Sequence, residues 1–113
     1  MRSFVSLTPG SRFRDMYRSA PRRRSGGITV LQARGESVTP HVGVVAGKSV
    51  GNAVQRNRAK RRLREAANKV DLESHTAYVV IASRDVLGVQ FGELLNWFAA
   101  AIAVGNGEGD KDT

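Results

Sequence analysis

Between Ala53 and Val70 this chain can bury very little. Wound as a helix, the stretch brings Ala59, Leu63, Ala66 and Val70 to i, i+4, i+7 and i+11, a single apolar stripe. Around it, six of the nine positions from Arg56 to Arg64 are basic: Arg56, Arg58, Lys60, Arg61, Arg62 and Arg64. Such a helix can dock on a core along one narrow line only, so the rest of its circumference faces solvent or a partner. Asn57 lies in the middle of the charged arc, between two arginines, and Asn52 is placed to cap the helix start. Glu65 is the one acid of the run, too few to neutralise it through helical pairs. A polyanion is the natural complement.

The flanking segments read as a small α/β unit. Ser11–Ala20 fits a short first helix capped by Ser11, with Phe13 and Tyr17 at i and i+4 on one face. Pro21 ends it, and Arg22-Arg23-Arg24-Ser25-Gly26-Gly27 reads as a flexible basic connector. Ile28–Arg34 fits a strand, with Thr29, Leu31 and Ala33 on one face and Ile28, Val30 and Gln32 on the other. After a polar turn, His41–Ala46 is a second strand, and the two are expected to form a hairpin. A glycine-flanked loop, 47–51, leads into the basic helix. Tyr78–Ser83 is almost continuously apolar, the mark of a central strand buried on both faces. A last amphipathic helix runs from about Gln90 to Val104 through Phe91, Leu94, Leu95, Phe98 and Ile102. The order α-β-β-α-β-α implies an α/β (α+β) two-layer sandwich: a small sheet with helices on it. Residues 1–104 form one domain, and 105–113 are expected to be an acidic flexible tail.

Charge is divided along the chain. Residues 1–70 hold 16 Lys/Arg against 3 Asp/Glu, whereas 71–113 hold 2 against 7. A basic front and an acidic back suit one face built for nucleic acid. The chain contains no cysteine, which rules out disulfides, thiolate metal sites and a Cys nucleophile. His41 and His75 lack ligand-spaced neighbours, and Asp15, Glu36 and Glu65 are isolated acids, so neither a catalytic constellation nor a dedicated metal site is expected. No secretory apolar region follows Met1, and the run Trp97–Val104 is too short to span a bilayer. A cytoplasmic protein without a membrane partner is the expectation.

Arginine suits phosphate because its planar fork donates two parallel hydrogen bonds and stays charged. Asn57 adds donors and an acceptor that can meet a base edge or a 2′-hydroxyl. Beyond this chemistry, Gly51-Asn-Ala-Val-Gln-Arg-Asn-Arg-Ala-Lys-Arg-Arg-Leu-Arg-Glu65 closely resembles the signature of the bacterial ribonuclease P protein component, GNAVxRNRxKRxxRE. The resemblance covers roughly residues 5 to 104. It implies a protein subunit that binds the catalytic RNA of ribonuclease P, one to one, and assists removal of the 5′ leader from precursor tRNA. The surface for the catalytic RNA would comprise Asn52, Arg56, Asn57, Arg58, Lys60, Arg61 and Arg64. A cleft for the single-stranded leader would comprise Phe13, Tyr17, Thr29, Leu31 and Lys48. Hydrolysis would belong to the RNA, with Mg2+ held by its phosphates, and no obligate protein partner is implied. The resemblance also implies a left-handed βαβ crossover, against the usual hand. Two positions depart from the family pattern: Leu31 stands where an aromatic is frequent, and Gly47-Lys48-Ser49 matches a Ser-Lys-Lys stretch only in part.

Two readings of Phe13 and Tyr17 stand side by side: packing of the first helix onto the sheet, or stacking of unpaired bases. For the chain as a whole, a ribosomal or ribosome-assembly protein would share the composition but not the Gly51–Glu65 signature. A DNA-binding regulator would place a short helix, not a valine strand and glycine loop, before the basic helix. A protein-only nuclease would need a carboxylate cluster.

Overall fold

The computed structural model describes residues 4–7 and 10–107. In chain order the elements are β1 (Val5–Ser6), α1 (Ser11–Ser19), β2 (Arg22–Ser25), β3 (Ile28–Arg34), β4 (His41–Ala46), α2 (Ala53–Ala67), β5 (Thr76–Ala82), a 3-10 turn (Arg84–Leu87) and α3 (Phe91–Gly107). The five strands form one mixed sheet in the order β1-β4-β5-β3-β2. β4 and β5 are parallel and joined through α2, while β3 runs antiparallel to both β5 and β2.

This topology corrects the expected hairpin of β3 and β4. β5 lies between them, pairing with β3 from Ile28↔Ala82 to Arg34↔Thr76 and with β4 from His41↔Ala77 to Ala46↔Ala82. The physical reason is burial. β5 is the most apolar strand, with Ala77, Tyr78, Val79 and Val80 all buried, and the centre is the only place where both its faces are covered. The basic connector is corrected too. Arg22–Ser25 is an edge strand, registered on β3 from Arg22↔Leu31 to Ser25↔Ile28 and turned by Gly26-Gly27. Gly26 has φ 55, the left-handed conformation a two-residue hairpin turn asks for. Backbone bonds to β3 form this strand, so its arginines do not oppose it.

The sheet has a core on each face. On one side Ile28, Val30, Tyr78 and Val80 meet Ala59, Leu63 and Ala66 of α2 and Leu94, Phe98 and Ile102 of α3. On the other, α1 lays Met16 over Leu31, Ala77 and Val79, with Phe13 and Tyr17 packed at the margin. α1 therefore adds partial cover to the second face of the sheet-and-helix sandwich. Its N-cap is Gly10, which makes no side-chain cap bond, where Ser11 had been expected. Residues 105–107 continue α3; the rest of the expected tail, 108–113, lies outside the described residues. Tyr78 is wholly buried in the core; the Glu73 N–H donates to its hydroxyl at 2.9 Å, and burial raises the phenol above its ordinary pKa.

Leu63 is wholly buried at the centre of the α2 seam. Leu63→Ala should lower unfolding free energy by about 2–5 kcal/mol in a urea titration, whereas Val54→Ala, on the 77% exposed side of the same helix, should change it by less than about 0.5 kcal/mol.

Candidate nucleic-acid interface

α2 starts from a reciprocal cap. The Gln55 N–H donates to Asn52 Oδ1 at 2.9 Å, and the Asn52 N–H donates to Gln55 Oε1 at 2.8 Å. Asn52, named with the RNA-binding surface from the sequence, is exposed and spends its amide oxygen on the helix start. From there the apolar stripe docks as the spacing predicts: Ala59, Leu63, Ala66 and also Ala67 are buried, and Val70, just past the helix end, packs on the same core. Arg56 and Lys60 are half-buried along the flanks of this seam, while Asn57, Arg58, Arg61 and Arg64 are exposed. Among the described residues no side-chain hydrogen bond or ion pair engages the heads of these six. The cationic arc is rigidly held and unneutralised.

Arg62 behaves differently from its neighbours. Its Nη1 donates to the Val86 carbonyl at 2.6 Å, tying α2 to the 3-10 turn. Arg84, outside the basic run, does the same at the other end of the joint, donating from Nη1 to the Val50 carbonyl at 3.1 Å. Sequence reasoning had no means of telling these two structural arginines from the free ones. The carbonyls that they satisfy become neighbours only when the chain folds.

The second face of the sheet carries an aromatic pair. Phe13 and Tyr17 stack with ring centroids 5.7 Å apart and planes 22° from parallel. Both are half-exposed, so each packs on the sheet and keeps ring surface open. Gly43 of β4 makes room for the first ring: a Cβ there would stand 2.8 Å from Phe13 Cε2. Arg22 of β2 anchors the second, with its guanidinium carbon 5.3 Å from the Tyr17 ring centroid and Nη2 donating to the Tyr17 carbonyl at 2.8 Å. Leu31, named with this cleft from the sequence, is wholly buried beneath α1 and offers no surface to a ligand. Thr29, one register step away, is half-exposed beside Ile81 and Val45, and across from Arg24. That row, not Leu31, floors the open part of the cleft. Lys48 is exposed in the turn that carries the chain from β4 to α2. Val45, Ile81, Arg22 and Arg24 were missed because the cleft is assembled across strands distant in sequence.

The basic arc and the aromatic cleft thus lie on opposite faces of one sheet. Among the described residues no group of three or more His, Asp or Glu stands close enough to hold a metal ion, and no helix is long and apolar enough to cross a membrane.

The family described as Ribonuclease P matches residues 1–103. The chain belongs to that family. Among curated relatives, it is 38% identical over 100 residues to the ribonuclease P protein component of Paramagnetospirillum magneticum, covering 78% of this chain and 74% of that one. It is 52% identical over 61 residues to that of Ruegeria pomeroyi, which covers 50% of this chain and 49% of the relative. The chain spans about half to two-thirds of the length of several curated relatives that it matches. The fold agrees with solved ribonuclease P proteins: that of Staphylococcus aureus superposes with a TM-score of 0.75 at 19% identity over 90% of this chain and 95% of that one. The protein of Thermotoga maritima gives 0.71 at 20% identity over 84% and 92%.

Arg62 and Arg61 provide an internal comparison. Arg62→Ala leaves the Val86 carbonyl without its donor and should cost about 1–3 kcal/mol of stability by chemical denaturation. Arg61→Ala, at an exposed position with no side-chain bond among the described residues, should stay within about 0.5 kcal/mol.

Proposed function

We propose that this chain is the protein subunit of a ribonuclease P ribonucleoprotein, binding one catalytic RNA through α2 and the 5′ leader of precursor tRNA through the cleft of α1 and the sheet. The observation that carries this reading is the pairing of an unneutralised cationic arc with a partly open aromatic stack on the other side of the same sheet. Family membership selects the RNA concerned. Arg56, Asn57, Arg58, Lys60, Arg61 and Arg64 face the RNA subunit, with guanidiniums on phosphates and Asn57 free to meet a base edge or a 2′-hydroxyl. Phe13 and Tyr17 stack unpaired leader bases, which suits a leader of varied sequence because every base has a π-face. Thr29, Arg24 and Lys48 line its path.

In this reading the chain cuts nothing itself. Leader removal, an endonucleolytic hydrolysis, is the work of the RNA subunit with Mg2+ held among its phosphates. The protein's contribution is electrostatic and geometric. Catalytic RNA and precursor tRNA repel each other, and a basic body between them lowers the cost of bringing them together and the demand for Mg2+. A cytoplasmic location follows from the tRNA-processing role.

The decisive measurement is which RNA co-purifies with the chain and whether that RNA with Mg2+, but not the RNA-free protein, releases the mature tRNA 5′ end. Cleavage by RNA-free, nuclease-treated protein would overturn the division of labour. Replacing Arg61 and Arg64 together by Ala should weaken RNA binding and flatten the slope of log affinity against log salt by roughly one to two units in a filter-binding titration. Replacing Phe13 and Tyr17 by Ala should weaken holoenzyme affinity for precursor tRNA by ~1–3 kcal/mol per stacked base lost, leaving mature tRNA almost unaffected. Equal losses for both tRNAs, or a collapsed thermal melt, would return these rings to a packing role.

A further inference from the structure

On the α2 side of the sheet, a groove of about 640 Å³ opens between the first turns of α2, the 3-10 turn and α3, lined by Gln55, Arg58, Arg84, Asp85, Leu87 and Trp97 among others. Its volume lies in the range of about 300–1,000 Å³ that suits a small ligand or a single nucleotide. Trp97 forms an unusual wall. Its indole is wedged against the β2–β3 turn so tightly that a Cβ on Gly26 would lie 2.2 Å from Trp97 Nε1 and one on Gly27 2.8 Å from Cζ3. The ring is fixed on that side by backbone, yet Trp97 remains half-exposed and borders the groove. Three residues that carry N–H donors line the same space. Arg58 is exposed and bonds to no described residue through its side chain. Arg84 is held in place by its bond to the Val50 carbonyl and keeps further N–H donors. Gln55 spends its amide oxygen on the cap, leaving its amide nitrogen without a partner among the described residues.

We propose that this groove is a second binding site for single-stranded RNA: an unpaired nucleotide of the RNA bound on α2 turns into it, its base stacking on Trp97 and its phosphate held by Arg58 and Arg84. The inference rests on the reading of α2 as an RNA-binding helix. A fixed aromatic face with guanidiniums beside it is the arrangement that captures an unpaired base without reading its identity. Asp85 constrains the pose. Its carboxylate repels phosphate, so the phosphate lies toward the two arginines, and Asp85 accepts from a 2′-hydroxyl or an exocyclic amine. The groove lies next to the cationic arc, on the face of the sheet away from Phe13 and Tyr17, and is therefore distinct from the leader cleft.

Trp97 is the only tryptophan in the chain, so its emission, excited selectively over tyrosine, reports on this groove. The probes are pentaadenylate RNA and a blunt RNA duplex, whose bases are already paired; binding of each is followed independently by the anisotropy of a terminal label. The full chain should show saturable quenching of Trp97 by pentaadenylate, with shielding from acrylamide, and no emission change on binding the duplex. Arg58→Gln and Arg84→Gln should each raise the midpoint of the quenching curve at least about fivefold. A thermal melt checks the Arg84 variant, and Arg58→Gln, with no bond to lose among the described residues, stands alone if that variant is unstable. If pentaadenylate binds by anisotropy while Trp97 emission stays flat, or if the midpoint ignores Arg58→Gln, the groove is not a nucleotide site although the RNA-binding reading survives. If neither RNA binds, the reading of α2 fails together with this proposal.

Discussion

The seam of Ala59, Leu63 and Ala66 against the sheet is the constraint from which the rest of the architecture follows. Two of its three members are alanines, so α2 lies close to the strands and buries a thin line of side chain. Had the seam been wider, the arginines at its margins would have been drawn over apolar surface and partly neutralised by the body of the protein. As built, the helix is held by a reciprocal cap at one end, an apolar line along its length and the Arg62 bond to the 3-10 turn. Those restraints share the fixing of the helix between them, and none uses the charged arc that faces outward. The arc can then be given wholly to a partner, at the cost of self-repulsion that a bound polyanion relieves.

How much of this could be read from the sequence depends on the range over which each feature is decided. α2, its cap at Asn52 and its buried stripe are set by residues within a few turns of one another, and all were legible. The amphipathic α3 and the burial of β5 on both faces were legible for the same reason. That β5 separates β3 from β4 was not, because two strands joined by a short polar turn read as a hairpin, and which strands flank the central one is decided only when the sheet assembles. β2 was hidden by composition: three arginines read as a solvated linker, although an edge strand needs only backbone partners on one side. In the candidate site, the outward arginines and the stacked pair Phe13/Tyr17 followed from helical spacing. The burial of Leu31 under Met16 did not, since it depends on where α1 crosses the sheet. The separation of Arg62 from the other cations likewise required the Val86 carbonyl, 24 residues away, to be in view.

Placing two surfaces of different chemistry on opposite faces of one sheet has a simple physical merit. The paired strands between them are stiff, joined by continuous ladders from β2 to β4, so whatever the two faces hold is kept at a set spacing. In the proposed holoenzyme the distance from catalytic RNA to leader would be a property of the sheet and would not depend on loop conformation. The α1 face depends on an unusually close fit to achieve this, with Gly43 admitting Phe13 to the strand surface and Arg22 bracing Tyr17 from the sheet edge.

The margins of that same sheet bear on how the molecule behaves in company. A sheet ends in rows of unused backbone donors and acceptors, which invite a copy of the chain to add its own strand. One margin here is β1, two residues long, too short to template anything. The other is β2, where Arg22, Arg23 and Arg24 stand in succession. Two such margins approaching each other would bring six guanidiniums together before a single backbone bond could form. The arginines that disguised β2 as a linker therefore also act as a guard against fibre-like stacking. The guard is electrostatic, so it is strongest in dilute salt and weakens as counterions accumulate.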